Sequence, residues 1–254
     1  MFVIKAVVLC GGFAKRLWPL TLEKAKPLLE VGGKPIMNYI VEKLEKMGEI
    51  NEIIISTNAK FEPVFKEWVQ KYGFEKLKFV IEGAHSEEEK LGSIAGIDFA
   101  INLAKIDEDC IILAGDNIFS FEVRDFIEFF RQKKAPVVAV FDVKDVEKAK
   151  GYGIVEIDDK NKIIEFDEKP EQPKSTLAST GCYIFPKDTL KLFSEYLKQS
   201  KKKDAPGFFL EWLHKKQDVF GYVFSDYWFD IGNKEALEET RKFMEKKQGF
   251  YSGA

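Results

Sequence analysis

The chain has 254 residues, enough for one large α/β fold or two small ones. Hydrophobic residues make up 45% and charged residues 32%, which excludes a disordered chain. A net charge of −3 excludes a protein whose partners are nucleic acid or an anionic membrane surface by bulk attraction. No apolar run is long enough to span a bilayer and the N-terminus has no signal-peptide pattern, so a cytoplasmic setting is expected. Cys10, Cys110 and Cys182 lie in apolar runs without C-x-x-C spacing and read as buried free thiols. His85 and His214 are too few and too far apart for a histidine metal site or a Ser-His-Asp triad.

Taken in order, the first half alternates strand and helix. Val3–Val8 reads as a buried strand, and Ile36, Met37, Ile40, Leu44 and Met47 share one helical face. Strands follow at 52–56, 78–82, 110–114 and 136–141, with helices at 61–72, 93–103 and 123–131 between them. Such alternation predicts a mostly parallel sheet with ligands at the carboxyl ends of its strands. After Gly151 the pattern changes to a hairpin, 154–157 and 163–166, around Asp158–Lys162. A strand at 178–185, a helix at 188–197, a solvated Lys201–Lys203 loop, a helix at 207–215, a strand at 219–224 and a helix from Asn233 complete the chain. No Pro/Gly/Ser linker divides it. One domain is expected, with a nucleotide half at about 1–150 and an acceptor half at about 151–254; no hexapeptide repeat follows, so no β-helical tail is expected.

The first strand runs into Leu9-Cys10-Gly11-Gly12-Phe13-Ala14-Lys15-Arg16, followed by Lys24 and Lys26. A glycine turn at a strand end lets backbone N–H groups approach a ligand, and trailing cations suit a polyphosphate. An ordinary strand-to-helix turn with solvated lysines would look the same. Phe13 and Arg16 stand where a dinucleotide fingerprint needs glycine, and Gly33-Lys34 is followed by Pro35 rather than Ser or Thr, so neither a Rossmann fingerprint nor a P-loop is present. Asp116, in Gly115-Asp116-Asn117, and Asp230, in Trp228-Phe229-Asp230-Ile231-Gly232, each sit just past an apolar run. Brought together they would suit Mg²⁺, which takes one or two carboxylates and keeps room for phosphate oxygens. Singly, each would serve as a turn or helix-cap residue, and Asn233 as a cap for the last helix.

The stretch Leu9–Pro35 resembles the signature of the sugar-1-phosphate nucleotidylyltransferases. Gly11, Gly12, Arg16-Leu17, Pro19-Leu20-Thr21, Lys26-Pro27-Leu28-Leu29-Glu30-Val31 and Lys34-Pro35-Ile36 match it. Ala14 departs from the usual third glycine, placing a methyl group in the loop, and Lys15 replaces a usual Thr and adds a cation. Gly115-Asp116, Glu168-Lys169-Pro170 and the late aromatic-x-Asp-x-Gly are in pattern, so the resemblance covers nearly the whole chain. It implies a Rossmann-like three-layer α/β fold with a mixed, mostly parallel central sheet and helices on both faces. It also implies transfer of a nucleoside monophosphate from an NTP to a sugar 1-phosphate, with release of pyrophosphate.

By the same resemblance Asp116 and Asp230 hold Mg²⁺, Arg16 steadies the leaving pyrophosphate, Lys26 meets the α-phosphate and Lys169 the acceptor phosphate. Leu9, Gly11, Gly12, Lys15, Glu82 and Gly92 fall on the nucleotide side. Asn117, Gly153, Glu168, Lys169, Ser179 and Tyr183 fall on the sugar-phosphate side, although Tyr183 could equally be core. The acidic run His85–Lys90 is expected to be a solvent-facing loop or lid. Two other activities stay open: a cytidylyltransferase for phosphocholine or a polyol phosphate, and a non-catalytic regulatory subunit of the same fold. Self-association into a homo-oligomer is left open.

Overall fold

The structure, a computed structural model, describes residues 2–251. In chain order the strands are β1 (Ile4–Leu9), β2 (Glu30–Val31), β3 (Lys34–Pro35), β4 (Ile50–Asn58), β5 (Leu77–Glu82), β6 (Asp109–Ala114), β7 (Asn117–Phe119), β8 (Val137–Asp142), β9 (Gly153–Ile157), β10 (Ile163–Glu168), β11 (Leu177–Phe185), β12 (Phe220–Phe224) and β13 (Trp228–Asp230). The helices are α1 (Ile36–Glu45), α2 (Glu62–Tyr72), α3 (Ser93–Leu103), α4 (Val123–Lys133), α5 (Val146–Ala149), α6 (Lys187–Gln199), α7 (Pro206–Leu213) and α8 (Lys234–Tyr251).

β1 lies at the centre, parallel to β4 on one side and β6 on the other, because its side chains are apolar on both faces and must be covered on both. Ala6 and Val8 join Ile53, Ile55, Ile111 and Leu113 in one core, which packs on residues of α1, α2 and α4. Val7 points the other way and joins Ile54 and Ile112 in a second core over α3, α6 and α7. Each buried Val, Leu or Ile among them contributes about 1.5–3 kcal/mol relative to exposure. The result is a nine-stranded mixed sheet between helical layers, as the alternation predicts. β5 follows β4 in parallel, while β11 runs antiparallel to both β6 and β8. Its N-terminal end also meets β9 through Ala178 and Ile154, which attaches the β9–β10 hairpin.

In register, Leu9 stands between Ser56 and Ala114, so β1 and β6 end level while β4 runs on to Asn58. Gly115 follows at once, and its N–H donates to the Leu9 carbonyl at 2.9 Å. A Cβ at Gly115 would stand 2.6 Å from Cys10 Sγ, so this crossing of two chain segments requires glycine. All three cysteines are buried and free, as expected.

The sequence pattern does not show the two-stranded ribbon of β7 and β13, whose antiparallel register pairs Asp230 with Asn117. Each strand is three residues long, too short for periodicity to register. The ribbon packs through Ile118 with Leu17, Ile231 and Leu237 in a small separate core. Asn233 caps α8 as anticipated, its side-chain oxygen accepting from Ala236 N–H at 2.8 Å.

Candidate active site

The level strand ends open into a cleft of about 430 Å³. Of the candidates read from sequence, Leu9, Gly11, Gly12, Lys26, Glu82, Gly92, Asp116, Asn117, Gly153, Glu168, Lys169, Ser179, Tyr183 and Asp230 line it. Lys15 and Arg16 are exposed and lie outside that lining. Residues from both halves of the chain therefore share one cavity.

The glycine turn is held by β4. Asn58, fully buried, donates to the Gly11 carbonyl at 2.9 Å and accepts from Phe61 N–H at 3.0 Å. Sequence reasoning missed Asn58; the signal available was the polar run Ser56-Thr57-Asn58 that follows the apolar Ile53-Ile54-Ile55. Ala14 takes a left-handed conformation, φ 49° and ψ 49°, at the place where the family pattern has glycine. Thr21 Oγ1 holds it by donating to the Ala14 carbonyl at 2.9 Å. The methyl group is thus accommodated without changing the handedness that glycine favours there.

Lys26 and Asp116 form an ion pair in the floor. Burial pulls the Lys26 ammonium down, but the Asp116 carboxylate outweighs it and leaves the ammonium more firmly protonated than usual. Burial likewise pushes Asp116 up, and the Lys26 charge and hydrogen bond bring it below the ordinary carboxylate range. Asn117 donates to Asp116 Oδ1 at 2.8 Å and accepts from Trp228 Nε1 at 2.6 Å. Both ends of the Asn117 amide are thereby committed to orienting Asp116 and Trp228. Ile231 N–H donates to the Asp116 carbonyl at 3.2 Å, so the ribbon carries Asp230 to Asp116. Among the described residues the Asp230 carboxylate has no hydrogen-bond or ion-pair partner. Burial and the neighbouring Asp116 charge push it up to about 6.

Glu82, at the end of β5, is pushed up by burial against the opposing Leu91 N–H and Lys90 charge. Its Oε1 sits 3.3 Å from where a Gly11 Cβ would be. Gly92, φ +89°, opens α3. On the opposite wall Glu168 closes β10 and burial raises its carboxyl, against the opposing Lys169 charge. Lys169 turns out of the strand at φ 53°, its N–H donating to the Tyr152 carbonyl at 3.0 Å, and its side chain is exposed. Tyr183 is buried beside Ser179, and burial raises its hydroxyl. Trp228 and Tyr152, ring centres 4.8 Å apart, complete this wall and were not singled out as a pair from sequence.

The acidic run has a partner. Glu88 meets Lys15 at 2.8 Å, which lowers the Glu88 carboxyl and raises the Lys15 ammonium, both side chains remaining in solvent. Glu89 accepts from His85 N–H at 2.7 Å and Glu87 pairs with Lys90, so the run is knitted into a compact loop beside the glycine turn. Lys201–Lys203 are exposed as expected, yet the Lys203 carbonyl accepts from Ile94 N–H at 2.9 Å. The segment after it, Asp204–Gly207, which leads into α7, lines the cleft.

An α/β sheet whose strand ends carry a glycine turn, a half-buried Lys–Asp pair and a second carboxylate without a partner among the described residues is built to handle phosphate. The model of the nucleotidyl transferase family matches residues 5–247, and the chain belongs to that family. It is 31% identical over 243 residues to the bifunctional protein GlmU of Methanocaldococcus jannaschii, covering 94% of this chain and 54% of that one. It is 34% identical over 184 residues to the UTP–glucose-1-phosphate uridylyltransferase AglF of Haloferax volcanii, covering 72% of each. The chain thus spans about half the length of the GlmU relatives it matches. A UDP-glucose pyrophosphorylase solved with UDP-glucose shares the fold, with a TM-score of 0.81, 20% identity and coverage of 96% and 99%. No helix among the described residues is long and apolar enough to cross a membrane.

Proposed function

We propose that this chain transfers a nucleoside monophosphate from an NTP to a sugar 1-phosphate and releases pyrophosphate. The observation that carries the reading is the convergence of Lys26, Asp116 and Asp230 at the strand ends, between the glycine turn and the Glu168–Lys169 wall. In this reading an acceptor phosphate oxygen attacks the α-phosphorus in line. A new P–O bond forms, the bond to the β-phosphate oxygen breaks, and pyrophosphate leaves. The acceptor phosphate is ionised at neutral pH, so positioning and charge stabilisation supply the catalysis and no general base is needed.

Leu9, Gly11, Gly12, Lys15, Glu82 and Gly92 bind the nucleotide, Lys26 meets the α-phosphate, and Arg16 reaches the leaving pyrophosphate. Its position supports this, since its charge acts on both Lys26 and Asp230. Lys169 holds the acceptor phosphate. Glu168, Ser179, Tyr183, Gly153 and Asn117 surround the sugar, Asn117 by setting Asp116 and Trp228. The division into a donor half at about 1–150 and an acceptor half at about 151–254 belongs to the same proposal, as does a cytoplasmic setting, which three reduced thiols suit.

Asp116 and Asp230 are the residues that would hold Mg²⁺. The donor set fits: two neighbouring carboxylates share one ammonium, that of Lys26, and Asp230, without a partner among the described residues, is pushed up by burial and by Asp116. When bound, the ion would neutralise charge on the phosphate oxygens.

The test is pyrophosphate release with Mg²⁺, glucose 1-phosphate or mannose 1-phosphate, and each common NTP or dTTP. UTP with glucose 1-phosphate comes first, because AglF is named for that pair. Release that needs both substrates is expected. Silence with all sugar phosphates overturns the acceptor class, and turnover of phosphocholine or a polyol phosphate would replace it.

A further inference from the structure

Glu168 sits in a slot whose two walls are glycines from different elements. Across the β9–β10 ladder its partner is Gly153. A Cβ there would stand 2.8 Å from both Glu168 Oε2 and Phe166 Cζ. From the other side comes Gly207, the second residue of α7. A Cβ on Gly207 would overlap Glu168 Oε2 and stand 2.7 Å from Cδ.

Neither glycine has a positive φ, so neither supplies a turn that other residues resist. Within a helix, glycine is about 1 kcal/mol worse than alanine. What Gly207 provides is space, and the atom using that space is a carboxylate oxygen. That carboxylate makes no hydrogen bond or ion pair among the described residues, and it faces the cleft with Ser179 and Lys169. The segment leading into α7 is itself anchored on the donor side. The Lys203 carbonyl accepts from Ile94 N–H, and a Cβ on Gly92 would stand 2.9 Å from that carbonyl oxygen and 3.0 Å from Asp204 Oδ1. One short segment therefore closes on both ends of the cleft, at one end against Gly92 and at the other with its own Gly207 against Glu168.

We infer that Gly207 is a positioning residue for acceptor recognition. Its bare backbone lets α7 close on Glu168 and fixes where that carboxylate accepts hydrogen bonds from the hydroxyls of a sugar phosphate. The inference rests on the proposed reading of the cleft as a sugar 1-phosphate site.

The experiment compares wild type, Gly207→Ala, Glu168→Asp and the double variant in the full chain. Glucose 1-phosphate and UTP are the probes, with mannose 1-phosphate where only it is turned over, and each variant is also melted. Gly207→Ala is expected to lower the melting temperature. It should raise KM for the sugar phosphate about ten-fold while leaving KM for the nucleotide within about two-fold, as for loss of an acceptor contact alone. Aspartate is one methylene shorter. Glu168→Asp should therefore worsen sugar-phosphate KM on its own, yet restore both readouts in part when combined with Gly207→Ala, a sign reversal that independent sites do not give. Additive effects on melting overturn the slot. Coupled melting with an unchanged sugar-phosphate KM overturns the positioning role. If wild type releases no pyrophosphate with any sugar 1-phosphate, the reading of the cleft fails and the acceptor role falls with it, while the melting cycle separately decides the packing.

Discussion

Lys26 and Asp116, 90 positions apart, are joined as a half-buried ion pair where β6 ends and the ribbon begins, with side-chain exposures of 16% and 22%. Its energetics are those of a pair that cannot lose one member. Lys26→Met leaves a carboxylate facing Asp230 without its cation, and a stability loss of about 3–5 kcal/mol is expected. Adding Asp116→Asn should recover a large part of that loss in urea unfolding, while both variants lack turnover. A single Lys26→Met variant as stable as wild type would show that the pair carries no such load.

Asp230 predicts a pH dependence. Its folded pKa, about 6, lies above the ordinary aspartate value near 3.9, so the folded state holds the proton more tightly. The stabilisation from that proton is complete below about pH 4 and is lost as pH rises through 6. Melting in EDTA should therefore show a decline across this window that Asp230→Asn lacks. Mg²⁺ at pH 7 should recover stability in wild type but not in the variant. Parallel pH profiles for the two proteins would contradict this account.

Ala14 is a non-glycine residue in the left-handed region, which disfavours a Cβ by roughly 1–2 kcal/mol. Glycine relieves that strain, yet its freer unfolded chain offsets about 0.5–1 kcal/mol. Ala14→Gly should leave stability unchanged or up to about 1.5 kcal/mol higher, read by urea unfolding. A clear loss would mean the methyl group is packed to advantage.

Glu88 holds a cation that, in the proposed reaction, a triphosphate would want. Both groups are in solvent and screened, so Glu88→Gln should lower KM for the nucleotide only modestly, and less at high salt. In a Lys15→Ala background the gain should vanish. A gain that persists there would be bulk charge repulsion rather than competition for Lys15.

Much of the frame is legible in the chain. Runs such as Ala6-Val7-Val8 and Ile53-Ile54-Ile55 are apolar at every position, which requires cover on both faces and so a layered sheet. The glycine turn and Asp116 are legible because they end such runs, whereas Glu168–Lys169 stands out only through the family resemblance. The β7–β13 ribbon is not, since three-residue strands carry no period and their pairing joins residues more than a hundred positions apart.

By itself, then, the sequence determined the strand–helix alternation, the buried thiols and the residue types able to meet phosphate, because burial pattern and side-chain chemistry are local properties. Only the tertiary structure decided that Asn117 is committed to Asp116 and Trp228, that Lys15 answers Glu88, and that Gly207 leaves room for Glu168. Each of those depends on which distant segment arrives within a few ångströms, and loop closure over such distances leaves no mark on the neighbouring residues.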